Sequence, residues 1–351
     1  MNLDDLDRIN QLDSMDMLAH IQGLPAQLEG AYHTGLQLPL PEMGNIEHIL
    51  IAGMGGSAIG ADLLARYVAP LSPVPVSVFR DYELPAWVHG PHTLVIASSH
   101  SGNTEETLSA YEMAQKRGCR TLAITTNGKL AHLAEKNGLT VWTFEHHGQP
   151  TAAVGHSFGY LLAAMVRLGL IPDPQAEFTE ALSVMRQQQV DLEPSVPVVK
   201  NPAKRLAGQL FGRWVTILAS GYLAPVARRW KMQISELAKA WAQFEFIPEA
   251  DHNTLAGVVN PIDILTRTMT IFLRSPSDHP RNFLRSNLTR QGFMIAGLNT
   301  DTFDAKGRSP LAHIWSALHF GDYVAFYMAM AYGVDPTPVE ALESFKAALS
   351  S

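Results

Sequence analysis

The chain has 351 residues, 46% of them apolar, and a formal net charge of −7 at neutral pH. That length suits two domains with sizeable cores, and the acidic balance excludes the basic field that nucleic acid or an anionic membrane surface requires. Cys119 is the one cysteine, which excludes a disulfide framework or a cysteine-built zinc site within the chain.

Met1 to Arg8 carries three aspartates and no apolar h-region, and no apolar run approaches the roughly 18–20 residues of a membrane span. A cytoplasmic protein is expected. Residues 1–42 read as a helical segment that ends in Leu38-Pro39-Leu40-Pro41. Strands and helices then alternate over 43–190: His48–Ala52, Val74–Phe79, Thr93–Ser98, Thr121–Thr125 and Leu139–Phe144 as strands, with helices over Ser57–Val68, Thr104–Lys116 and Gly155–Leu168. Continuous apolar strands alternating with helices indicate a parallel sheet covered on both faces. Glu193-Pro194-Ser195-Val196-Pro197 reads as part of a linker over 191–203. The alternation resumes over 204–351, with strands at Trp214–Ser220, Met269–Leu273 and Gly292–Ala296. Helices are expected at Pro225–Phe244, Pro280–Thr289, Pro310–Tyr332 and Thr337–Leu349.

Two loops carry the first chemical signal. Gly53-Met54-Gly55-Gly56-Ser57-Ala58-Ile59-Gly60 leaves a strand and opens a helix. Glycines allow a tight turn and close approach, while the helix start offers unpaired N–H groups to an anion. The same residues also fit a dinucleotide fingerprint, with Asp81 available to a ribose, or a plain packing turn. Ser99-His100-Ser101-Gly102-Asn103-Thr104 follows the third strand and opens the next helix on the same sheet edge. Alone it is ordinary turn and cap chemistry. Together, Ser57, Ser99, Ser101 and Thr104 with the amides near Gly55 and Gly56 would encircle a phosphomonoester with neutral donors, and a dinucleotide site has no need of the second loop.

The pair Gly-Gly-Ser-Ala-Ile-Gly and Ser-x-Ser-Gly-Asn-Thr resembles the sugar isomerase (SIS) domain, a five-stranded parallel sheet flanked by helices that binds phosphosugars through these hydroxyls. Over nearly the whole chain the resemblance is to the bifunctional phosphoglucose/phosphomannose isomerases. It implies an α/β protein of two tandem SIS domains, 43–190 and 204–351, each a parallel sheet in an αβα sandwich. It implies an aldose–ketose isomerase acting on glucose 6-phosphate or mannose 6-phosphate and fructose 6-phosphate through a cis-enediolate, with no cofactor.

Three later motifs are read beside that family. In Trp230 to Lys239, Glu236 lies beside an apolar stripe of Trp230, Ile234, Leu237, Trp241 and Phe244. The bland reading is a surface glutamate paired with Lys239. The segment is similar to the family's Gln-x-x-Glu-x-Ala-Lys motif, which implies that Glu236 is the base, a role served by partial burial. Phe246 to Asn253 is similar to the family's Phe-Pro-Glu-x-x-His-Asn stretch, which implies that His252 assists ring opening in a neighbouring subunit's site, hence a homodimer. A turn histidine bonded to Asp251 is the alternative. Thr337 to Lys346 resembles the closing element of the family, which implies that Lys346 joins His252 in ring opening and that Thr337 bears on substrate selectivity. A snorkelling surface lysine is the alternative.

One departure stands out. Where the family has Pro-Arg-Ala-Ala, this chain reads Pro150-Thr151-Ala152-Ala153. Thr151 supplies no charge to an enediolate, a loss on the order of 3 kcal/mol where a preorganised donor is removed. Arg80, Lys231 and Arg228 are candidate replacements. Glu145-His146-His147 reads as loop rather than metal ligands. The competing readings are a non-catalytic phosphosugar sensor, an isomerase of a different phosphosugar, and a dinucleotide-dependent enzyme.

Overall fold

Short apolar runs of this chain become the inner strands of two parallel sheets. The computed structural model describes residues 2–349; the expected domain ends at Met1 and Ser351 lie outside them. The chain forms two units, Gly23–Gln175 and Met1–Gln22 with Ala176–Ser351. Helix α1 (Leu6–Leu12) is capped by Asp5, whose carboxylate accepts from Arg8 N. Helix α2 (Met17–Gly35) opens on Asp13, which accepts from the amides of Met17 and Leu18 at 2.7 and 2.9 Å.

The N-terminal unit follows as β1 (His48–Ala52), α3 (Gly55–Val68), β2 (Val76–Phe79), β3 (Thr93–Ser99), α4 (Glu105–Lys116), β4 (Arg120–Thr125), α5 (Gly128–Lys136), β5 (Val141–Thr143) and α6 (Val154–Arg167). The sheet order is β2-β1-β3-β4-β5, all parallel. Every residue of β3 is buried; Leu94, Val95 and Ile96 each contribute about 1.5–3 kcal/mol by leaving water. Strand order reverses between β1 and β3, so the loops after them open side by side at the carboxyl edge, where doubly wound sheets bind ligands.

The C-terminal unit contains α7 (Gln175–Leu192) from Ala176 onward, α8 (Pro202–Leu210), β6 (Trp214–Ala219), α9 (Ala224–Glu236), β7 (Ala242–Phe246), α10 (Ile262–Leu265), β8 (Thr268–Arg274), α11 (Pro280–Ile295), β9 (Asn299–Asp304), α12 (Pro310–Tyr332) and α13 (Glu340–Leu349). Its sheet is four-stranded, β7-β6-β8-β9, and parallel, where the resemblance implied five. Helix α12 is buried from Leu311 to Met330. It is not an apolar span: among the described residues no helix is long and apolar enough to cross a membrane.

Three expectations are corrected. The helix from Pro225 stops at Glu236 rather than Phe244, because Lys239 turns left-handed at φ 52° and residues 242–246 join the sheet. Trp241 is accordingly 69% exposed and not part of a helical stripe. Gly292–Ala296 is not a strand but the end of α11 and the residue after it; the strand is β9. Residues 176–190, expected in the first domain, and 191–203, expected as a linker, belong to the C-terminal unit. Gln188 Nε2 donates to Ser316 O at 3.0 Å, and Lys204 Nζ donates to Pro194 O at 2.7 Å, which fixes both stretches there.

Candidate active site

The two loops of the N-terminal unit are built around close approaches. A Cβ on Gly56 would lie 2.4 Å from Pro150 O, so only glycine lets α3 begin this near the Pro150–Ala153 turn. Gly102 has φ 64°, and a Cβ there would meet Asn127 O at 1.8 Å. The loops are joined directly: His100 N donates to Ser57 Oγ at 3.1 Å. Ser99 Oγ lies 3.0 Å from Thr104 Oγ1 and accepts from Gly102 N at 3.1 Å, while Ser101 Oγ accepts from Asn103 N at 3.2 Å. Gly55, Gly56, Ser57, Ser99, Ser101 and Thr104 thus share one sheet edge. Accepting a backbone bond leaves the hydroxyl proton of Ser57 free to donate to an anion.

A feature that sequence reading missed flanks the second loop. His100 Nε2 and His146 Nδ1 share a hydrogen bond of 2.9 Å, and His146 packs edge-on to His156 at 5.7 Å between centroids. His156 stacks on Phe144 at 4.7 Å. Burial, assisted by His100, holds His156 down to about 4, and burial lowers His100 as well. The His146 contact joins residues 46 apart, which no local motif announces. Among the described residues no cluster of three or more acidic, histidine or cysteine side chains is arranged to hold a metal.

Thr151 lies in the turn against Gly56 and is 3% exposed. Of the expected replacement cations, Arg80 is engaged by Asp62 and donates to Ala58 O at 3.1 Å. Arg228 sits 5.2 Å over the Phe244 ring. Lys231 is different, because its charge acts on Glu236.

In the C-terminal unit, Glu236 is the last residue of α9, next to the buried core residues Leu237 and Ala238. Burial pushes its carboxyl above the usual range, and the charges of Arg229, Lys231, Lys346 and Lys239 pull it part of the way back. Arg229 is itself bound by Asp322, Nε to Oδ1 at 3.0 Å and Nη2 to Oδ2 at 2.8 Å, with both residues buried. The simple pairing of Glu236 with Lys239 is corrected: Lys239 Nζ donates to the backbone oxygen of Glu236 at 2.8 Å, not to its carboxylate.

Lys346 is exposed on α13, within electrostatic reach of Glu236. Thr337 is 2% exposed; its N–H donates to Asp335 Oδ1 at 2.9 Å, and its Oγ1 has no hydrogen-bond partner among the described residues. A buried hydroxyl of that kind suits a ligand. His252 ends the Glu249–His252 turn and is exposed. Asp251 does not hold it: that carboxylate accepts from Thr289 Oγ1 at 2.6 Å and Arg285 Nη1 at 3.1 Å.

The C-terminal unit repeats the turn of the first loop. Met54 and Gly55 adopt φ −126° and 51°; Ser220 and Gly221 adopt φ −129° and 54°. Here the place is filled. Asp278 Oδ1 lies 2.6 Å from where a Gly221 Cβ would stand, and Oδ2 accepts from Ser275 N at 3.0 Å. The hydroxyls of Ser275 and Ser277 face His313 Nδ1 at 3.0 and 2.9 Å. Around the corresponding position of Gly55 no atom of the described residues, its own turn of chain aside, stands within 4 Å.

The SIS domain family matches residues 42–166, and the family described as bacterial phospho-glucose isomerase C-terminal SIS domain matches residues 199–349. The chain is 41% identical over 334 residues to a bifunctional phosphoglucose/phosphomannose isomerase of Caldicellulosiruptor bescii, covering 94% of this chain and 98% of the relative. It is 32% identical to the protein of the same description from Aquifex aeolicus, covering 85% and 89%. Among solved structures, a hypothetical protein from Thermus thermophilus superposes with a TM-score of 0.74 at 16% identity, covering 98% of this chain and 93% of that one, a likeness of fold.

Proposed function

The chain belongs to the bifunctional phosphoglucose/phosphomannose isomerase family, and from that premise we propose that it interconverts glucose 6-phosphate and mannose 6-phosphate with fructose 6-phosphate through a cis-enediolate. The observation that carries the assignment of a base is Glu236: a carboxylate at a helix end, lifted by burial and partly drawn back by the charges of Arg229, Lys231, Lys346 and Lys239. A base so poised takes a proton near neutral pH and returns it.

In this reading the hydroxyls of Ser57, Ser99, Ser101 and Thr104 and the amides at Gly55 and Gly56 hold the phosphoryl group. His252 and Lys346 assist ring opening, in which the C1–O5 bond breaks as the O1 hydroxyl loses a proton and the ring oxygen gains one, one residue relaying that proton and the other steadying the charge. Glu236 then carries the proton between C2 and C1. Thr337, with its unpartnered buried hydroxyl, is assigned to recognition of the sugar's hydroxyls. Lys231 is assigned the charge that Thr151 lacks. His252 is exposed and the nearby α10 and α11 expose Ile262, Leu288 and Ile295 at 70, 56 and 81%, which supports a homodimer in which His252 serves the partner's site. The cytoplasm is the proposed location.

A coupled assay on the three sugar phosphates, with Glu236→Gln as control, tests the proposal. Turnover of none of them, or undiminished turnover in the variant, sinks it. The buried neutral Thr151 favours a second reading, a non-catalytic phosphosugar-binding protein, which predicts binding of hexose 6-phosphates without proton exchange at C2.

A further inference from the structure

Helix α9 ends in a way that glycine would make easier. At the end of α12 the left-handed residue is Gly333, at φ 71°. At the end of α9 it is Lys239, at φ 52°, where a side chain crowds its own backbone. The side chain has a use that glycine lacks. Its ammonium donates to two carbonyls: Glu236 O at 2.8 Å and Pro336 O at 3.1 Å. The first belongs to the last residue of α9. The second belongs to the segment that leads into α13, the helix bearing Lys346. That segment is folded on itself through Thr337 N to Asp335 Oδ1 at 2.9 Å, and is held from the N-terminal stretch by a bond from Ser14 Oγ to Asp335 Oδ2.

We propose that Lys239 is a positioning residue, a clamp that fixes the Asp335–Thr337 segment, and with it α13, to the end of α9 where Glu236 stands. It rests on the reading of Glu236 as the base. Lys239 acts through backbone carbonyls and need not touch the sugar. The groups facing Glu236 are Arg229, itself held by Asp322, then Lys231, Lys346 and Lys239. The Lys239 ammonium also feels the charge of Asp335. The two carbonyls hold the ammonium in place; burial lowers its affinity for the proton, and the charges of Asp335 and Glu236 oppose that.

Lys239→Gly tests this cleanly, because it keeps the turn while deleting the clamp. Three readouts are expected to move together. Amide hydrogen exchange over 335–349 rises at least tenfold in the ligand-free protein, kcat falls at least tenfold with KM changed less than threefold, and the acid limb of kcat/KM moves to higher pH because a cation near Glu236 is gone. Lys239→Arg, which keeps charge and donors, is expected to restore all three. Unchanged exchange over 335–349 in a folded Lys239→Gly protein, or a kcat within twofold of the parent, overturns the proposal. Exchange is read without substrate. Should it rise while Glu236→Gln still turns over, the base assignment falls and the clamp stands.

Discussion

Ser57 and His100 bind one another across two loops, the serine hydroxyl accepting the histidine's backbone N–H at 3.1 Å. The bond makes a single structure of two turns that lie 43 residues apart. Ser57→Ala removes the acceptor and the proposed ligand donor at once, leaving a part-buried N–H unpaired, a cost of about 1–3 kcal/mol. The affinity for inorganic phosphate or a hexose 6-phosphate, measured by calorimetry, should fall by roughly ten- to a hundredfold. Ser101, exposed and bonded only within its own turn, should show a smaller loss as Ser101→Ala.

Glu236→Gln should lower kcat by about a hundredfold to ten-thousandfold, the usual worth of a positioned general base, with little change in phosphate affinity. In the parent, kcat/KM should decline as pH falls through a carboxylate value above the ordinary range, since the base must be unprotonated. The same shift carries a stability effect. A carboxyl raised on folding favours the folded state at low pH, and that advantage is lost as pH rises through the folded value. Glu236→Gln should therefore melt no lower than the parent at neutral pH, as scanning calorimetry can test.

The histidine cluster predicts the opposite trend for the N-terminal unit. His156 is held down to about 4, so it stays neutral when folded and gains its proton on unfolding at mildly acid pH. Its contribution is fully present above the ordinary histidine range and drains away between about 6.5 and 4. His156→Phe, which keeps an aromatic ring against Phe144, should flatten the loss of melting temperature over that interval.

Asp278 predicts the binding stoichiometry. We expect the carboxylate seated against Gly221 to keep an outside anion from the C-terminal turn, so that calorimetry finds one phosphate per chain. Asp278→Ala should lower stability by about 1–3 kcal/mol through the orphaned Ser275 amide, with the affinity of the N-terminal loops unchanged.

Sequence patterning exposed the inner strands because burial on both faces demands unbroken apolar runs, as in Ile49-Leu50-Ile51 and Ile271-Phe272-Leu273. It failed at β9, Asn-Thr-Asp-Thr-Phe-Asp, for the same reason turned round. An edge strand of intermediate burial tolerates polar residues, and the apolar end of α11 took its place in the reading. The end of α9 was hidden because nothing in the local pattern marks a lysine for a left-handed turn. The two glycine- and hydroxyl-rich turns were legible, since their spacing is local chemistry. The carbonyl contacts of Lys239, the seat of Asp278 and the meeting of His100 with His146 arise only when distant segments fold together.

The hydroxyls gathered at Ser57, Ser99, Ser101 and Thr104 are uncharged, and the nearby Arg80 is already engaged by Asp62. A dianion held by dipoles sheds few counterions on arrival and gives dissolved electrolyte little to screen. The Michaelis constant for a phosphosugar should then vary weakly between dilute buffer and physiological ionic strength, and product escape should not have to overcome the pull of a fixed opposite charge.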